Sequence, residues 1–220
     1  MSSHDEVLRI SSRFIQDVKT FLMRILLYGH SQTYGMGADL QAALRAQGHD
    51  VTRIWHSGWR DPELLQAVYS LPSGPWDRVY LYLGGNTTTP TTEALLGIVQ
   101  HFGIDRSTVI LPPVNADYTS YAPTRRRVNS AHADALQALN VRTYQLETTG
   151  NFFQPDQVHL LAGSQPSIDL ANRIAYESLA PTALTRPSPD NSAVIGWSVG
   201  VGLAALGLVG LAIVLARRRR

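Results

Sequence analysis

The run Met23-Arg24-Ile25-Leu26-Leu27-Tyr28, followed at once by Gly29-His30-Ser31, decides the fold. Apart from Arg24 it is wholly apolar and only six residues long, as expected of a strand buried on both faces. Working outward, residues 38–47 read as a helix ended by Gly48, 51–55 as a strand, and 62–69 as a helix with Pro62 in its first turn. The same alternation continues with a strand at 78–83, a helix at 91–102 closed by Gly103, and a strand at 108–111 stopped by Pro112-Pro113. A helix at 126–139, a short strand at 141–144 and a last helix at 166–179 complete it. Strand and helix alternate five times over short connections, with no internal repeat. That pattern predicts an α/β fold with an open, mainly parallel sheet covered by helices on both faces.

The rest of the 220 residues flank this unit. Residues 1–22 are polar and mildly amphipathic, lack the layout of a signal peptide, and leave either Met1 or Met23 as the start. Residues 181–192 (PTALTRPSPDNS) read as a proline-rich linker. Residues 193–216 contain no charge over 24 positions and are followed by four arginines, 217–220. At ~1.5 Å per residue that stretch is long enough to cross a ~30 Å hydrocarbon core, so a single transmembrane helix with a basic tail is expected. Gly196-x-x-x-Gly200 has the small-residue spacing of helix dimers, although a monomeric anchor explains the glycines as well. The arginines favour a cytoplasmic C-terminus, which would put the folded domain outside the cytoplasm. An export signal that such an orientation needs is not legible.

Charge and cysteine usage exclude several classes of function. The formal charge is +2, but four arginines belong to the tail, which leaves 15 basic against 17 acidic residues over 1–192. A nucleic-acid surface is therefore not expected. Arg125-Arg126-Arg127 forms a short basic cluster, read as the solvated start of a helix. With no cysteine, disulfides, Cys-based zinc sites and a thiol nucleophile are ruled out.

In a sheet of this type the ligand site lies beyond the carboxyl ends of the strands. After the first strand comes Gly29-His30-Ser31-Gln32-Thr33-Tyr34-Gly35-Met36-Gly37. It lacks the lysine and the glycine spacing of a phosphate loop, and Thr33 breaks the G-x-S-x-G of a lipase-type elbow. What remains is a serine at a strand-to-helix turn, either a plain helix cap or a nucleophile. After the second strand comes His56-Ser57-Gly58-Trp59, after the third Gly84-Gly85-Asn86-Thr87, and before the last helix Asp156-Gln157-Val158-His159-Leu160. A serine nucleophile needs a base, the base an orienting acceptor, and the oxyanion a set of donors. Ser31, His159 and Asp156 fill the first three roles. The amides of Ser31 and Gly58 with the Asn86 side chain fill the last.

These blocks resemble the SGNH (GDSL-like) hydrolases, from Met23 to about Leu179. Gly29-His30-Ser31 is similar to the family's first block, Ser57-Gly58 to the second, Gly84-Gly85-Asn86 to the third, and Asp156-Gln157-Val158-His159-Leu160 to the last. Leu111-Pro112-Pro113-Val114 also matches the family's run after the fourth strand. His30 and Thr87 stand where the family usually has aspartates, which bears on rim hydrogen bonding and substrate choice. The resemblance implies a flavodoxin-like three-layer α/β/α sandwich over residues 23–180 with a five-stranded sheet. It also implies a Ser31–His159–Asp156 triad, an oxyanion hole of Ser31, Gly58 and Asn86, and no metal or organic cofactor. His30, Gln32, Trp59 and Thr87 are the expected substrate contacts, with Tyr34 and Thr88 as further candidates. A metal at His30 and a glycosylation sequon at Asn86-Thr87-Thr88 are weaker readings of the same residues. His56, His101 and His132 read as surface or loop histidines.

The resulting expectation is a membrane-anchored serine esterase acting on an O-acetyl or other short acyl group of a carbohydrate or cell-wall glycan. A lysophospholipase or thioesterase on lipid esters is the first alternative. A catalytically silent binding or structural module on a cell or virion surface is the second. The oligomeric state is not legible.

Overall fold

The computed structural model describes residues 22–71 and 74–179. Five parallel strands form the main sheet: β1 (Arg24–Gly29), β2 (Asp50–Trp55), β3 (Arg78–Tyr82), β4 (Ser107–Ile110) and β6 (Arg142–Tyr144). Their order is β2-β1-β3-β4-β6. A separate two-stranded parallel ladder joins β5 (Val114–Asn115) to β7 (Glu147–Thr148). The helices are α1 (Gln32–Ala46), α2 (Asp61–Val68), α3 (Thr92–Phe102), α4 (Ala122–Ala138) and α5 (Gln165–Leu179).

β1 lies between β2 and β3 and alternates its side chains between two cores. Ile25 and Leu27 join Met36, Leu40 and Leu44 of α1 and Leu170, Ile174 and Ala175 of α5. Leu26 and Tyr28 join Leu64 of α2, Ile98 and Phe102 of α3 and Leu136 of α4 on the other face. This is the three-layer sandwich expected from the alternation. Each fully buried leucine contributes about 1.5–3 kcal/mol of transfer free energy, so the two cores outweigh any single surface contact.

Two boundaries differ from expectation for identifiable reasons. α1 begins at Gln32, six residues before the expected 38, because Gly35 and Gly37 are helical. Their glycine identity answers to packing. A Cβ on Gly35 would stand 3.3 Å from the Leu160 carbonyl, and one on Gly37 3.3 Å from the Thr33 methyl. α4 begins at Ala122, ahead of the expected 126, with Pro123 in its first turn where no amide hydrogen bond is lost.

α1 and α5 are further joined by Asp39. Its carboxylate accepts the Gly163 N–H at 2.9 Å and the Ser167 hydroxyl at 2.5 Å, at the N-terminal end of α5, where an anion is favoured. No helix among the described residues is long and apolar enough to cross a membrane. The extension 1–21, the linker 181–192, the expected span 193–216 and the basic tail 217–220 lie outside the described residues.

Candidate active site

The strand order reverses direction between β1 and β3, which opens a crevice at their carboxyl ends. Gly29 at the end of β1 pairs with Trp55 of β2 and Tyr82 of β3. The loops after these three strands therefore leave the sheet at one level, and Ser31, Gly58 and Asn86 follow within a few residues.

Ser31 stands at the head of α1 with helical dihedrals, and its hydroxyl caps no amide of that helix. Instead its Oγ meets His159 Nε2 at 2.5 Å. The other ring nitrogen, His159 Nδ1, lies 2.5 Å from Asp156 Oδ2. An ionised carboxylate only accepts, so Nδ1 carries the proton and Nε2 presents its lone pair to Ser31. Burial acts to raise the Asp156 pKa, but the His159 and Val158 amides at 3.0 and 2.9 Å, together with the imidazole, hold it below the ordinary carboxylate value. Asp156 thus stays charged while it orients the base.

The turn carrying this pair is fixed from three sides. Gln32 Nε2 donates to the Val158 carbonyl at 2.9 Å, and the Gln154 amide to the His159 carbonyl at 2.7 Å. Asn115, buried on β5, donates to Gln157 Oε1 at 2.9 Å and supports that residue at a left-handed φ of 61°.

Ser31, Gly58, Asn86, Asp156 and His159 line one cavity of about 340 Å³, with Tyr34, Ser57, Gln154 and Leu160 among its other walls. Neither the Ser31 nor the Gly58 amide has an acceptor among the described residues. Asn86 spends one amide hydrogen on the Trp59 carbonyl at 2.9 Å and keeps the other. The three residues that carry these donors line the same cavity as His159, the kind of donor set that an oxyanion requires.

The expected substrate contacts fare differently. Gln32 lines the cavity, although its amide nitrogen is committed to Val158. His30 does not reach it. It is 2% exposed and packs under Gly85, where a Cβ would come within 2.6 Å of the ring. Trp59 stacks its ring on His56 at 4.1 Å and meets the site through its carbonyl. Thr87 lines a neighbouring cavity of about 470 Å³ together with Thr88, Thr89, Thr91, Arg60 and Glu63, and shares only Asn86 with the first.

Sequence reasoning missed what lies beneath. Arg125, read as solvated, is 2% exposed, and His132, read as a surface histidine, is fully buried. Arg125 donates to the Gly84 carbonyl at 2.6 Å, and Asp61 accepts the Gly84 N–H at 2.9 Å. The signal was the helical spacing of Ala122, Arg125, Val128, His132 and Leu136, one continuous face of α4 that is buried throughout.

These buried groups set the response to acid. Burial, then the Arg125 charge, lowers His30 to about 3 and His132 to about 4 from the ordinary 6.5. Between pH 6.5 and those values the unfolded chain binds protons that the folded chain refuses, so stability falls as pH falls. For His30 the full shift corresponds to ~5 kcal/mol at most. Asp61, raised by burial from 3.8 to about 6, acts in the opposite sense below pH 6 and offsets part of the loss. Urea unfolding at pH 7.5, 6 and 4.5 is expected to show a falling midpoint, and a His132→Gln variant a shallower fall. A midpoint that rises on acidification would contradict the burial of two neutral imidazoles.

Comparison with known proteins supports the fold. No protein-family profile matches the sequence, and no curated protein matches it either. Solved structures do. TesA superposes with a TM-score of 0.56 at 17% identity, covering 71% of this chain and 99% of that one. A carbohydrate esterase of family 3 from Talaromyces cellulolyticus gives 0.53 at 15%, covering 72% and 97%. A structure described as a GDSL-like lipase from Parabacteroides merdae gives 0.53 at 12%, covering 71% and 95%. The chain shares its fold with these three structures.

Proposed function

We propose that the protein is a serine ester hydrolase of the SGNH type, acting on short acyl esters of a hydroxylated compound, an O-acetylated carbohydrate or glycan. The observation that carries this reading is the Ser31–His159–Asp156 relay, with 2.5 Å at each step, opening into a cavity that also holds three unspent or half-spent donors.

In the acylation step the Ser31 hydroxyl proton passes to His159 Nε2 as Oγ bonds to the ester carbonyl carbon. The carbonyl electron pair becomes an oxyanion held by the Ser31 and Gly58 amides and Asn86 Nδ2. Its collapse breaks the bond to the alcohol oxygen, which takes the proton from His159. Water then repeats the sequence on the acyl-serine, releasing the carboxylic acid and the free hydroxyl. Asp156, held ionised, stabilises the imidazolium in both halves.

A short acyl group is supported by the cavity itself. At about 340 Å³ it has only Tyr34 and Leu160 as large apolar walls, too little for a long hydrocarbon chain. The carbohydrate esterase neighbour supports a sugar as the alcohol. Residues 193–216 are proposed, from their sequence alone, to tether the domain to a membrane and to leave it on the extracytoplasmic side.

The test is an ester panel on the full chain, comparing 4-nitrophenyl acetate, butyrate and palmitate with an acetylated xylan. The expected order in kcat/KM is acetate over butyrate over palmitate, with acetate released from the polysaccharide. Preference for palmitate would replace this reading with a lipid esterase. No turnover, and no fluorophosphonate adduct on Ser31, would replace it with a binding module.

A further inference from the structure

Asn86 is exposed and has a φ of 53°, a left-handed conformation that asparagine tolerates better than most non-glycine residues. The backbone on either side of it is held from below. Arg125 Nη1 donates to the Gly84 carbonyl at 2.6 Å and Nη2 to the Thr87 carbonyl at 3.2 Å, so one guanidinium bridges the backbone on either side of Asn86. Asp61 takes the Gly84 N–H with both carboxylate oxygens, at 2.9 and 3.1 Å. The Tyr121 hydroxyl accepts from Arg125 Nε at 3.1 Å and steadies the fork from its far side.

Arg125 and Asp61 are each only 2% exposed. Burying charges is costly, and an apolar pair of equal volume would fill the space at least as favourably. What a guanidinium adds is a rigid planar fork whose two arms reach two carbonyls at once, which no aliphatic side chain or lysine does. We infer that Arg125, with Asp61 on the opposite side of Gly84, is a positioning residue for the reaction, holding the Gly84–Thr87 strap so that the free Asn86 amide hydrogen points at the oxyanion. The inference rests on the reading of Asn86 as an oxyanion donor.

A double-mutant cycle on the full chain with 4-nitrophenyl acetate tests it. Asn86→Ala is expected to lower kcat ~10²–10³-fold. Arg125→Met is expected to lower kcat about 10–100-fold with KM nearly unchanged, since the loss is confined to the transition state. Arg125→Lys, which restores one arm of the fork, is expected to recover part of it. In the Asn86→Ala background Arg125→Met is expected to cost less than about twofold more, because the donor it positions is gone. Should Arg125→Met fail to fold, Arg125→Lys carries the same cycle. Multiplicative losses across the cycle would overturn the positioning role alone. Undiminished kcat in Asn86→Ala would overturn the donor role and this inference with it.

Discussion

Alanine at position 31 is expected to lower kcat for 4-nitrophenyl acetate by ~10³-fold or more, with the folded state and KM little changed. The substitution removes the atom that His159 Nε2 contacts at 2.5 Å and leaves the imidazole with no proton to take. What survives is binding and the oxyanion donors, which retain modest catalysis over water. His159→Ala is expected to cost a similar factor, and the Ser31→Ala/His159→Ala pair little more than either, because the two side chains act as one unit. Ser57 is the control. It lines the same cavity but is not among the hydrogen-bond partners of His159 or Asp156, so Ser57→Ala is expected to stay within a few-fold of the parent. Ester turnover by Ser31→Ala within tenfold of the parent would remove Ser31 from the mechanism.

The second large effect is on stability. Gly29→Ala would place a Cβ 2.1 Å from the Tyr82 carbonyl oxygen and 2.8 Å from its carbon. Both are backbone atoms of the central β3, and that oxygen already accepts the His30 amide at 3.2 Å. Neither can retreat without parting β1 from β3. Overpacking of this kind typically costs 1–3 kcal/mol where side chains can adjust. Here backbone must move, and a loss of ~4 kcal/mol or more is expected, read as a collapsed urea midpoint or failure to accumulate as soluble protein. Gly58→Ala is the contrast. It has open space around it and only a φ of 80° to oppose a side chain, so ~1–2 kcal/mol is expected. Equal effects at the two positions would show that close approach is not what requires glycine after β1.

The architecture was legible because buried parallel strands announce themselves as short, mainly apolar runs, and β1 and β3 are such runs. The relay was legible because its parts are local. Asp156 and His159 lie three residues apart in one turn, and Ser31 follows β1 directly. The support beneath was not. Arg125 sits in a triple arginine run whose neighbours Arg126 and Arg127 are exposed, and composition cannot tell which of three adjacent charges turns inward. His30 was misplaced for a related reason. Ser31 is partly exposed towards the cavity while its neighbour His30 is the one that goes under. Gly35 and Gly37 concealed the start of α1 because glycine reads as loop, whereas here it admits the Leu160 carbonyl.

Asp39 has a consequence for the order in which a newly made chain acquires its reactivity. The nucleophile emerges from the ribosome 128 residues before the base it depends on. By residue 150 all five strands of the main sheet have been synthesised, yet neither Asp156 nor His159 is on the nascent chain. The imidazole arrives only with the segment whose following turn and helix dock onto Asp39. On the proposed mechanism, a chain truncated before residue 156 is expected to be inert towards 4-nitrophenyl acetate even with its main sheet complete.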